Sequence, residues 1–295
     1  MTNNQTLPEK QGYETFHIDT IVDNSKTDFD LYIELKEHLI LYSGIGYRWE
    51  RDELQSLMAA GHESLYIRED DLTKAKMYHE LAKLPTIEKD KAPKERIASI
   101  EQVGAKFIEA LYAGEITPGT VEKAKHLGEA VVDCVGEDLA CVQELSGLAD
   151  HDYYTYYHSI RVSTYTVAIA IQMGLKDEEA LRQIALGGIF HDIGKKHVPM
   201  EVINKKGPLN DAEWEMMRSH PQKGFLSVSE SVLSHVPREI ILHHHEKLNG
   251  SGYPDGIDQG SLLEEVQIAT LADVFDALTS SRSYQNKRSR YEGLD

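Results

Sequence analysis

Hydrophobic positions change their rhythm once along this chain. Over the first 85 residues they come in short β-branched and aromatic runs, and beyond them they recur with a helical period. The segments YETFHIDTIV, FDLYIEL and HLILYSG, bounded by Asp, Asn and Gly, predict strands, and SLYI predicts a fourth. RDELQSLMAAG places Leu54, Leu57 and Met58 on one side and stops at Gly61, which predicts a helix. A second helix is expected from a cap at Asp70 or Asp71 as far as Pro85. Residues 1–85 therefore read as a small α+β module with a regulatory or interaction role and no catalytic constellation. The charged, proline-bearing run PTIEKDKAPKER marks a linker at 86–97. Residues 98–295, where strand signals vanish, read as one all-helical domain. The expected class is α+β overall, a small N-terminal α/β module followed by an all-α helical bundle.

Charge narrows the partners. The formal net charge of −18 argues against a DNA or RNA polymer, although a metal ion can still reverse the field locally for a small phosphorylated ligand. The opening MTNNQTLPEK lacks the basic and apolar regions of a signal peptide, and the most apolar run, VSTYTVAIAIQMGL, is too short and polar for a membrane span. A cytoplasmic protein without membrane contact is expected. Cys134 and Cys141, seven apart on one helical face, read as reduced core residues.

The chemistry lies where helical stripes carry ionisable residues. His158 shares a stripe with Val162, Tyr165 and Ile169. A helix capped by Asp177 turns Leu181, Ile184, Gly188 and Ile189 inward before reaching His191 and Asp192. Gly187 and Gly188 each cost a helix about 1 kcal/mol relative to alanine, so close backbone packing is expected there. NDAEWEMMRSHP opens with a capping box, Asn210 with Glu213, and ends at His220 on the stripe of Met216 and Met217. VPREIILHHHEK starts at Pro237 and sets Ile240 and Ile241 four residues before His244 and His245. Asp273 shares the stripe of Val266, Ala269 and Ala277. Burying several unpaired carboxylates costs several kcal/mol each, an objection that a divalent cation removes. Adjacent His244 and His245 project about 100° apart on a helix. They are therefore expected to flank two metals rather than share one position.

The motifs HSIRV, HDIGK, HHHE, GSGYPDG, ADVFDAL and SRSYQ, in this order, resemble the HD-GYP subfamily of HD-domain phosphohydrolases over residues 154–285. The resemblance implies an all-α bundle that hydrolyses cyclic di-GMP to pGpG and/or GMP with a hydroxide activated by two metals. His158, His191, Asp192, His220, His244, His245 and Asp273 fall on the metal-ligand positions, with Asp192 as the bridge and a catalytic residue. Lys195 matches the catalytic lysine that steadies the scissile phosphate. Arg282, Gln285 and the loop Gly252, Tyr253 and Pro254 match substrate contacts, and the loop also implies docking of signalling partners, as does the N-terminal module. The nitrogen-rich ligand set suits iron, manganese, nickel or zinc, and the resemblance favours iron.

Three features depart from the pattern. Trinuclear members carry a glutamate where this chain has Tyr154, so a binuclear centre is expected. Gln285 stands where a cation is usual, and the chain stops at Asp295. Both suit a slow enzyme, or a receptor that binds cyclic di-GMP and signals without turnover; a third reading is an HD phosphohydrolase for another nucleotide. His151 and His243 match no ligand position, and Asp276 is expected either to orient a ligand or to pair with Arg282. Glu246 is expected beside the ligands rather than on a metal.

Overall fold

Alternating burial along the N-terminal strands builds a four-stranded antiparallel sheet in the order β1-β4-β2-β3. The strands are β1 (Tyr13–His17), β2 (Leu31–Leu35), β3 (His38–Ser43) and β4 (Ser64–Arg68). The structure is a computed structural model that describes residues 11–21, 26–36, 38–82, 91–114, 116–145, 154–205 and 207–280. Helices α1 (Arg51–Ala59) and α2 (Leu72–Ala82) supply Leu54, Leu57, Ala75 and Tyr78 to a core around Phe16, Phe29, Trp49 and Leu65. The first expected strand is shorter than YETFHIDTIV, because residues 18–20 turn into a short 3-10 segment that buries Ile18.

The chain divides into compact units at Lys83/Leu84. In the second, α3 (Pro93–Ala113) begins inside the stretch read as linker, since Pro93 sits at its first turn, where a missing N–H costs nothing. It is followed by α4 (Pro118–Glu137), α5 (Tyr154–Gln172), α6 (Glu178–Phe190) and α7 (Met200–Ile203). Then come α8 (Asp211–Arg218), α9 (His220–Ser227), α10 (His235–His243) and α11 (Glu264–Thr279). Cys134 lies on α4 but Cys141 falls in the 3-10 turn after it. The two thiols still meet in the core, 3.9 Å apart and free.

Helix α5 is not the one-sided helix its stripe suggested. Residues 158–167 are buried on every side, because α3, α4, α6 and α11 all pack on it. The expected close approach occurs at Gly188, where a Cβ would lie 2.5 Å from Ser163 Cα on α5. Ser163 also donates to the Ala185 carbonyl at 2.8 Å, so Gly188 trades helix propensity for contact between α6 and α5, while Gly187 does the same for contact with Ile240 of α10. Among the described residues no helix is long and apolar enough to cross a membrane.

Candidate metal centre

Five elements converge on Asp192. Helix α6, capped by the Asp177 carboxylate on the Ala180 N–H at 2.7 Å, ends at Phe190 and hands His191 and Asp192 to the turn that follows. The Tyr112 hydroxyl of α3 donates to the Asp192 carbonyl at 2.8 Å and pins that turn, a contact the sequence did not reveal. His158 comes from the middle of α5 and Asp273 from α11. His220 is the first residue of α9, not the last of α8 as expected. Helix α8 ends at Arg218 and buries none of its residues, so Met216 is exposed rather than inward, and Pro221 starts the next helix instead of stopping this one. Helix α10 opens at His235, ahead of Pro237, and ends at His243, leaving His244 as its cap and His245 beyond it.

The two Asp192 oxygens face different partners. Oδ2 lies 3.3 Å from His191 Nε2 and 3.7 Å from His158 Nε2. Oδ1 lies 3.2 Å from His220 Nε2 and 3.7 Å from His244 Nε2. Two donor groups thus share this carboxylate: His158, His191 and Asp192 form one, and Asp192, His220, His244 and His245 the other. Asp273 links the sides, with Oδ1 3.1 Å from His158 Nε2 and Oδ2 3.9 Å from His245 Nδ1. His244 and His245 therefore fall in one group rather than flanking two. The helix has ended at His243, so the 100° projection no longer governs their rings.

Second partners fix which ring nitrogen is free. Nδ1 of His191 meets the Gly188 carbonyl at 2.7 Å, Nδ1 of His220 the Met217 carbonyl at 2.7 Å, and Nδ1 of His244 the Ile240 carbonyl at 3.1 Å. A carbonyl only accepts, so each Nδ1 carries a proton, and each ring turns its Nε2 toward Asp192. Lone pairs and carboxylate oxygens facing one another in a buried space repel unless a cation lies among them. His191 Nε2 and Asp192 Oδ1 are buried without a hydrogen-bond partner, which is how ligands waiting for a metal look. Burial pushes His244 down to about 4 and holds His245 well below the usual histidine range. Both are therefore neutral ligands near pH 7. Burial alone would raise the Asp192 carboxyl, but the Lys195 ammonium holds it well below the usual carboxylate range. The donor set fits divalent transition metals.

The sequence model of the HD domain matches residues 145–295. The chain belongs to the HD-domain family. Its relatives include a cyclic di-GMP phosphodiesterase of Pseudomonas aeruginosa, 39% identical over 50% of this chain and 36% of the relative. The cyclic di-GMP phosphodiesterase response regulator RpfG of Xanthomonas campestris is 41% identical over 42% of this chain and 33% of that protein. A 3′3′-cGAMP-specific phosphodiesterase of Vibrio cholerae is 34% identical over 48% of this chain and 33% of its own length. The alignments thus span about a third of each relative's length. Among solved structures, Bd1817, an HDG"Y"P protein from Bdellovibrio bacteriovorus, aligns over 95% of this chain and 91% of its own. The TM-score is 0.63 at 20% identity, which shows a shared fold. With His191-Asp192 and Gly252-Tyr253-Pro254 in place, the second unit is an HD-GYP domain.

Behind the ligands of this HD-GYP domain lies a buried ionic chain. His158 Nδ1 meets Asp276 Oδ2 at 2.7 Å, Arg161 Nε donates to Asp276 Oδ1 at 2.6 Å, and Arg161 Nη1 reaches Glu101 Oε1 at 3.3 Å. Burial acts to lower His158, yet its bonds to Asp273 and Asp276 outweigh that and raise it; the same carboxylates favour a cation at Nε2. Asp276 thus fixes the ring of His158, the histidine nearest it among the candidate ligands, while its alternative partner Arg282 lies outside the described residues. Arg161 was not singled out from the sequence, although a charge three residues after His158 inside an apolar run was the signal available. Asp276→Asn is expected to weaken metal binding about ten- to a hundredfold in chelator competition, and to lower the melting temperature. Unchanged metal affinity would contradict the orienting role.

The three consecutive histidines divide their labour. His244 and His245 face the donor cluster, while His243 Nε2 reaches Asp255 Oδ2 in the HD-GYP loop at 3.0 Å. Glu246 Oε1 accepts from the Asp255 and Gly256 N–H groups at 2.7 and 2.8 Å, so the loop is tied to the end of α10 twice. Gly252 is required there, since a Cβ would lie 2.3 Å from Glu246 Cα. The Tyr253 ring, ahead of Pro254, sits 4.8 Å from the His245 ring. Lys195 Nζ lies 2.5 Å from Asp192 Oδ2. Lys196 instead caps the end of α3 through the Gly114 carbonyl, and Lys205 pairs with Glu213. Arg282, Gln285 and His151, with the side chain of Tyr154, lie outside the described residues.

Proposed function

We propose that the second unit is a metal-dependent phosphodiesterase that hydrolyses cyclic di-GMP to pGpG and/or GMP. The observation that carries this reading is the division of the two Asp192 oxygens between two histidine groups whose free nitrogens all face inward. That arrangement suits two divalent cations, held by His158, His191 and Asp273 on one side and His220, His244 and His245 on the other, with Asp192 between them. Iron is favoured, and manganese, nickel and zinc suit the same donors. When bound, such a pair acidifies water and offsets charge on a phosphodiester.

The chain's own groups supply orientation and charge. Hydrolysis adds the oxygen of water to phosphorus and releases the 3′-oxygen as a hydroxyl, so negative charge grows on the non-bridging oxygens. Lys195, one-fifth exposed at the rim, stands at the side of Asp192 to receive that charge. Asp276, through His158, and the backbone carbonyls behind His191, His220 and His244 hold the imidazoles in place. Lys195→Ala is therefore expected to lower kcat about a hundredfold while the metal content of the purified protein stays at the wild-type value. Parallel loss of metal and rate would make Lys195 a structural residue instead.

The test is chromatography of products after incubating iron-loaded protein with cyclic di-GMP, beside 3′3′-cGAMP and mononucleotides. Release of pGpG or GMP supports the reading. Binding of cyclic di-GMP without turnover would favour a receptor, and preference for 3′3′-cGAMP, which a named relative hydrolyses, would change the substrate.

A further inference from the structure

A cyclic dinucleotide carries two phosphodiesters, and the donor cluster with Lys195 can engage only one at a time. The other must be held farther out, on a chain whose net charge of −18 repels it. Position 285 holds glutamine rather than a cation, so the second phosphodiester needs another cation near the Gly-Tyr-Pro loop.

One stands on α8. Arg218 makes no ion pair with any of the described residues, and its guanidinium carbon lies 5.5 Å from the centroid of the Tyr253 ring and 5.9 Å from that of Trp214. Trp214 and Arg218 are one turn apart, hence on one face of α8, and the Asn210–Glu213 capping box fixes where that helix begins. Trp214 is 47% exposed, so its ring is open to a ligand from solvent. The Tyr253 ring in turn packs against His245 of the donor cluster. A row of flat groups thus leads from open surface to the ligands: Trp214, Arg218, Tyr253, His245. Aromatic neighbours hold a guanidinium by its faces and leave its N–H edges free, the arrangement that binds a phosphate through two hydrogen bonds.

We propose that Arg218 binds the non-scissile phosphodiester of the cyclic dinucleotide, with Trp214 and Tyr253 orienting it, and so sets substrate affinity. This rests on the dinucleotide reading above. Alternative roles are a neutral hydrogen bond to guanine or simple support of Tyr253.

The test compares Arg218→Lys and Arg218→Gln with wild type in the metal-loaded full chain. It measures steady-state kinetics on cyclic di-GMP, and the dissociation constant by calorimetry. Because the side chain is exposed, both variants are expected to fold, which circular dichroism checks. Arg218→Gln should raise KM and Kd about tenfold or more with kcat within about threefold, and Arg218→Lys, which keeps the charge but loses the two-bond fork, should fall between Gln and wild type. Arg182→Gln, at a surface arginine paired with Glu178, serves as the control and keeps wild-type values. Equal affinities in all three proteins, or better retention by Gln than by Lys, would overturn the phosphate assignment. A fall in kcat at unchanged KM would overturn it in favour of support for Tyr253. If the wild type neither binds nor hydrolyses cyclic di-GMP, the substrate reading itself fails, and this proposal with it.

Discussion

Asp192→Ala is expected to strip the protein of its metal and bring hydrolysis of cyclic di-GMP to the floor of the assay. Asp192 is the single residue common to both donor groups, it is 1% exposed, and its two oxygens point to different sets of imidazoles. Without it each set keeps only imidazoles on the shared side, and Asp273 alone is left to offset the charge of two neighbouring cations. Asp192→Asn separates this from a packing defect, because it preserves volume while removing the anion; it should fail equally. Stability supplies a second readout. A ligand at a hundred times its Kd adds about 2.7 kcal/mol to a fold. Wild type should therefore melt at a higher temperature with metal than with chelator, while both variants melt alike in either. Retention of metal by Asp192→Asn would show that the carboxylate is not a shared ligand.

Gly194→Ala should damage the fold and the centre together. A Cβ at that position would lie 1.8 Å from the His220 carbonyl oxygen and 2.6 Å from the Gly224 nitrogen, and both are backbone atoms that cannot rotate aside. The turn carrying Asp192 and the helix carrying His220 must then separate. Overpacking of this kind costs about 1–3 kcal/mol and more where backbone must move, so a loss at or above the top of that range is expected in urea unfolding. The same displacement pulls His220 from Asp192, so metal affinity should fall as well. Gly136→Ala provides the opposite case: nothing lies within 4 Å of its Cβ near the end of α4. There the substitution should be neutral or stabilising by up to about 1 kcal/mol. Equal effects at the two glycines would show that contact at Gly194 is looser than described.

The sequence exposed the ligands because burying a histidine or aspartate on an apolar stripe is costly, and such residues stand out against the period of their helix. It exposed the N-terminal strands for a similar reason, their alternation being local. What it concealed depends on neighbours distant along the chain. Burial of residues 158–167 of α5 on every side follows from four helices closing on it, which no single stripe records. The break between α8 and α9 was hidden because Pro221 serves equally as the end of one helix or the first turn of the next. Asp276 was visible but its partner was not: Arg161 is paired over 115 residues of sequence. Arg218 passed as an ordinary surface residue, since only the fold brings Tyr253 beside it.

One buried carboxylate, that of Asp192, is expected to be shared by two metal ions. Anomalous diffraction from crystals of the iron-loaded protein measures it directly. Two peaks per chain are predicted, one among Asp192, His158 and His191 and the other among Asp192, His220, His244 and His245. A single peak, or peaks away from Asp192, would contradict it.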